Sequence, residues 1–92
     1  MLPESVSDFD RLVEQTVPSI RAHEPGTLVY VVGAAKDDPT SRVFLEIYRD
    51  EAAFDHHNAQ PYVRRFLEAR GPMLTDLRVE FMPDCDGQLQ AP

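Results

Sequence analysis

Most groups in the sequence that could do chemistry fall within residues 46–62. Glu46 and Tyr48 stand two apart in an apolar run. Phe54, His57, Asn58 and Pro61 then recur at i, i+3, i+4 and i+7, so one helix face carries an aromatic ring, an imidazole and an amide. A neutral imidazole can accept a proton from an acidic hydroxyl near neutral pH, and a carboxylate beside it can orient the ring. Glu46 and His57 are the polar pair that would share an interior. The spacing predicts that His57 faces an internal cavity lined by Tyr48, Phe54 and Phe66. His56 lies about 100° away around the helix and looks toward solvent.

Each residue also has a plainer reading. His57 could be a buried histidine satisfied by Glu46 or by backbone, and Tyr48 could be core. Asn58 could orient a carbonyl or an oxygen species, or be a surface amide. Tyr62 could donate a hydrogen bond into a pocket, or pack beside Phe66.

Other chemistries lack their residues. His56 and His57 diverge, His23 is far along the chain, and no H-x-x-x-H or cysteine pair sets a metal geometry. The glycines form no phosphate-cradling pattern, and no serine has a histidine and an acid at recognisable spacing. Cys85 is the only cysteine, and Asp84 and Asp86 beside it would raise its pKa rather than activate it. Any catalysis would rest on an enclosed pocket and an intrinsically reactive substrate.

The elements that position these groups are legible in outline. Residues 43–48 read as a strand and Asp50 as the cap of the helix that follows, with Glu51 at the positive end of its dipole. Pro61 predicts a bend, after which Val63, Phe66 and Leu67 form the apolar face of a helix that stops at Gly71-Pro72. Upstream, Ser7 and Asp10 resemble a capping box opening a helix that runs to about His23, with a kink or break at Pro18. Glu24-Pro25-Gly26 reads as a turn. Residues 27–32 read as a strand with Leu28, Tyr30 and Val32 on one face and Val29 and Val31 on the other. Residues 33–41 read as the loop of a hairpin, and residues 77–82 as a last strand.

Ninety-two residues with 42% apolar content make one domain, assigned to residues 1–83, with a polar tail at residues 84–92. A net charge of −7 is the wrong sign for a nucleic-acid or anionic-membrane surface. Arg64, Arg65 and Arg70 read as a solvated helix face. No apolar run reaches the roughly 18 residues of a membrane span, and no leader pattern opens the chain, so a soluble cytoplasmic protein is expected. Apolar residues on both faces of both central strands predict a homodimer.

The order E-x-Y-x-D-E-A-A-F-D-x-H from Glu46 to His57, followed by Pro61-Tyr62-Val63 and preceded by Glu24-Pro25-Gly26, resembles the antibiotic biosynthesis monooxygenase domain family. The resemblance spans about residues 7–81. It implies an α+β ferredoxin-like protomer pairing sheet against sheet into a dimeric α/β barrel, with a small-molecule substrate. Most of the family's first strand is absent, with residues 1–4 standing as its end. The gap it leaves is expected to be filled by upstream chain, by the tail or by a partner's strand. The family includes cofactor-free quinol and polyketide oxygenases, haem-degrading members and enzymes acting on an autoinducer sugar phosphate. By resemblance, His57 is the catalytic base or anchor and Glu46 orients it, with Tyr48, Phe54, Asn58, Tyr62 and Phe66 as substrate contacts. Tyr48 stands where many members carry tryptophan, and this chain has none. The reading that follows is a monooxygenase of quinols or phenols without cofactor or metal. The alternatives are an isomerase or degrading enzyme for a small carbonyl or sugar-phosphate metabolite, and a non-catalytic dimeric binding module.

Overall fold

In the computed structural model, which describes residues 1–83, three helices pack on one face of a two-stranded antiparallel sheet. Helix α1 (Val6–His23) is followed by strands β1 (Thr27–Ala35) and β2 (Asp38–Tyr48), then by helices α2 (Glu51–Ala59) and α3 (Pro61–Arg70). The architecture is α+β.

Helix α1 opens differently from the expected capping box. A 3-10 turn, Pro3–Ser5, leads into it, and Ser5 is the N-cap with no side-chain cap bond. Asp10 is engaged elsewhere: its two carboxylate oxygens accept from Arg42 Nε at 2.8 Å and Nη2 at 2.9 Å. That bidentate, charge-assisted pair is stronger than a capping bond and ties α1 to β2. Residues 1–4 contribute no strand. The Met1 amino group donates to the Thr40 carbonyl at 2.9 Å and Leu2 N–H donates to the Met73 carbonyl at 3.0 Å, so this segment bridges β2 and the 3-10 turn Gly71–Met73. Pro18 does not divide α1. The buried Phe9, Thr16 and Ile20 span both sides of it, and packing of that stripe outweighs one missing backbone bond.

The hairpin is longer and tighter than its composition predicts. Gly33, Ala34 and Ala35 lie in β1 and Asp38 to Ser41 in β2, leaving Lys36 and Asp37 to turn. Gly33 pairs with Val43 and Ala34 with Arg42, so the ladder overrides weak strand propensity. Asp38 secures the turn, accepting from Thr40 N, Thr40 Oγ1 and Ser41 Oγ at 3.0, 2.8 and 2.7 Å. An irregularity between Thr27 and Val29 takes Leu28 out of the expected face, and it is exposed. Tyr30 stands opposite Glu46 and Val32 opposite Phe44.

The core gathers where β2 meets α1 and α3. Phe9, Phe44 and Phe66 form a triangle of rings with centroids 6.1 to 6.2 Å apart, and Ile20 and Val63 are buried with them. Leu67, expected on the inner face of α3, is exposed. Arg64 and Arg65 are also exposed, whereas Arg70 lies over the Phe66 ring. Asp50 caps α2 as its sequence predicts, its carboxylate accepting from Ala53 N at 2.8 Å. Helix α2 stops at Ala59, Gln60 is extended, and Pro61 starts α3.

Residues 77–82 form no strand in the described sheet. Alternation alone does not make a strand, because a strand exists through its ladder partners and this segment pairs with neither β1 nor β2. Leu77, Val79 and Phe81 are exposed, although the Phe81 ring lies 6.0 Å from that of Phe54. Cys85 and the expected tail lie outside the described residues.

Candidate active site around His57

Histidine 57 is buried, at 4% exposure, on the inner face of α2, and His56 is exposed, as the helical register predicts. The Asp50 cap fixes where α2 starts and hence which way His57 points. Its ring lies 5.6 Å from that of Tyr30 on β1 and 5.2 Å from that of Tyr48 on β2. Sheet and helix therefore clamp the imidazole between two phenols.

The closest polar partner of His57 is Glu24. Glu24 Oε1 stands 2.6 Å from His57 Nδ1, and this carboxylate is 3% exposed. Thr27 Oγ1 donates to the same oxygen at 2.7 Å, and the Tyr62 hydroxyl donates to Oε2. Burial pushes the Glu24 pKa up, but the hydrogen bonds from Tyr62, Thr27 and His57 together outweigh it and hold the group below the usual carboxylate range. Glu24 is thus an ionised, acceptor-only group whose Oε1 faces His57 Nδ1.

Glu46 occupies the other side of the ring. Its Oε1 is 3.9 Å from His57 Nε2, beyond hydrogen-bonding distance, and its side chain is about one-third exposed. The Tyr48 hydroxyl donates to the same oxygen at 2.5 Å. Burial, and then the neighbouring carboxylate, pushes the pKa of Tyr48 up through Glu46 and that of Tyr62 up through Glu24. Both phenols keep their protons and serve as donors.

The sequence-derived set is thus partly assembled. His57, Glu46, Tyr48 and Tyr62 converge on one network. Phe54 joins through the Tyr48 ring, with centroids 5.2 Å apart. Phe66 belongs to the aromatic core with Phe9 and Phe44, and Asn58 is exposed. Two grooves, of about 450 and 320 Å³, lie along α1 rather than around His57, and Tyr30 lines the larger one.

Glu24 is the member that the sequence reading missed. In Glu24-Pro25-Gly26 it reads as turn chemistry, and the turn is real: Thr27 N–H donates to the Glu24 carbonyl at 3.1 Å. Its side chain nevertheless points inward. The available signal was a carboxylate at a helix end with a threonine three residues on, but its histidine partner is 33 residues away. Gly26 follows from a close approach: a Cβ there would lie 2.6 Å from that of Ala53 on α2. The small residue lets the turn sit against α2 and brings Glu24 to His57.

A family model described as antibiotic biosynthesis monooxygenase matches residues 2–69. The chain belongs to this family. The α+β architecture is its ferredoxin-like fold. A candidate antibiotic biosynthesis monooxygenase from Caulobacter crescentus CB15 is 26% identical, with a TM-score of 0.83 over 91% of this chain and 80% of that one. Another from Bacteroides thetaiotaomicron VPI-5482 is 28% identical, with a TM-score of 0.77 over 94% of this chain and 86% of that one. An uncharacterised protein of Synechocystis sp. is 29% identical over 72 residues, which is 78% of this chain. The chain spans 48% of that relative's length. The family match takes in Glu24, His57, Glu46, Tyr48 and Tyr62, so the network lies wholly inside the family's domain. Among the described residues no helix is long and apolar enough to cross a membrane.

Proposed function

We propose that this family member is a cofactor-independent monooxygenase of a small quinol or phenol, acting as a homodimer. The observation that carries the proposal is a buried imidazole whose Nδ1 is held by an ionised carboxylate while its Nε2 makes no close hydrogen bond among the described residues. Such a ring is placed to take a proton from an acidic hydroxyl. Once deprotonated, an electron-rich phenol can itself reduce dioxygen, and the protein supplies placement and exclusion of water. For a quinol the balance is quinol plus dioxygen giving hydroxyquinone plus water. The substrate provides the electrons, one oxygen atom enters the ring, and the other leaves as water. In this reading His57 is the base, Glu46 faces the incoming hydroxyl, and Tyr48 and Phe54 border the ligand ring.

The test is oxygen consumption with a panel of quinols and phenols, each followed by mass measurement of the product. Uptake with a product heavier by one oxygen and lighter by two hydrogens than the quinol is expected. Ligand binding without uptake would overturn the oxygenase reading and leave a binding module.

A further inference from the structure

His57 has two faces of different character. On the Nδ1 side, a carboxylate at 3% exposure collects hydrogen bonds from Thr27, Tyr62 and His57, three donors from three parts of the chain. Burying a carboxylate costs several kcal/mol unless it is fully paired, so so many donors around it mark a group fixed in both place and charge. On the Nε2 side, Glu46 Oε1 stands at 3.9 Å and already accepts from Tyr48. In the neutral ring only one nitrogen bears a proton.

We infer that Glu24 is the positioning residue of this site: it holds the neutral His57 ring as the Nδ1–H tautomer, so that Nε2 and Glu46 together present only acceptors to a ligand. A site of that kind selects a neutral hydroxyl donor, a phenol or the reduced, quinol form of a quinone. It discriminates against an ether or quinone carbonyl, which brings no proton, and against phosphate, which the Glu46 carboxylate beside Nε2, with Glu24 behind the ring, repels. A hydroxyl oxygen that reaches both atoms would stand about 2.8 Å from each, at the apex of a triangle over the 3.9 Å gap. Its proton goes to Nε2. The ligand class rests on the reading of His57 as ligand-facing, whereas the tautomer does not, and neither depends on oxygen uptake.

The experiment is long-range proton–nitrogen correlation NMR of the imidazole, roughly two pH units above the ordinary histidine pKa of about 6.5. The expected wild-type spectrum has His57 Nδ1 protonated and Nε2 bare. Glu24→Met, which removes the acceptor, raises the share of the Nε2–H form, and Glu24→Gln, which keeps a carbonyl acceptor, restores the Nδ1–H form. Hydroquinone added under argon shifts the Nε2 resonance, while 1,4-dimethoxybenzene and inorganic phosphate leave it in place. An Nε2–H tautomer or an imidazolium in the wild type would overturn the inference, as would equal shifts from all three additives. Should Glu24→Met fail to fold, the wild-type spectrum and the three titrations still decide.

Discussion

Glu24 binds the site and the fold together, which gives the protein a defined response to acid. Its folded pKa lies below its unfolded one of about 4.3, so the fold favours the ionised form. That contribution is present above the unfolded value and is lost as the pH falls through the folded one. Asp10, held low by its hydrogen bonds from Arg42, acts in the same direction. The melting temperature of the wild type should therefore fall between about pH 5 and pH 3, and that of Glu24→Gln should fall less steeply. Thermal melts across that range check this, and identical slopes would mean that Glu24 carries none of the linkage. At this scale the sequence was half legible. The interior position of His57 followed from helical spacing, and the exterior position of His56 with it. Glu24 escaped because no local pattern distinguishes a turn carboxylate that faces solvent from one that faces a ring 33 residues away.

The elements stand on two local contacts that can be tested separately. Gly26 lets the turn before β1 meet α2, and a methyl group there must displace Ala53. Gly26→Ala should destabilise by about 1–3 kcal/mol, the usual cost of overpacking. Gly33→Ala meets nothing within 4 Å among the described residues and should be neutral or slightly stabilising. Urea denaturation separates the two. Asp50→Ala removes the cap on Ala53 N and should cost about 0.5–2 kcal/mol, loosening the helix that carries His57. Helix types and the break at Pro61 were legible because capping and proline chemistry are local. The length of the hairpin was not, since Gly33 to Ala35 are strand only through their pairing. The expected last strand failed for the converse reason: residues 77–82 alternate correctly but pair with no described strand.

At the scale of the molecule, the helices cover one face of the sheet and, among the described residues, leave the other exposed. Val31, Val43 and Leu45 point away from the helices at 57%, 62% and 49% exposure, on neighbouring positions of the two strands. A contiguous apolar face of this kind is the surface on which the proposed homodimer would pair. Light scattering at micromolar concentration should give a homodimer, and Leu45→Lys should shift it toward monomer without unfolding it. A monomeric wild type would contradict the proposed pairing. The fold class was readable because the motif around His57 and the order of elements agreed with one family. The reaction is a separate matter, because a fold positions groups without specifying the ligand. The measurement that bears on it most directly is quinol-dependent oxygen uptake by wild type and His57→Ala at equal folded fraction, verified by thermal melting. The expected result is a folded variant whose uptake falls by about 10²- to 10⁴-fold, the range for loss of a general base. Undiminished uptake by folded His57→Ala would contradict it.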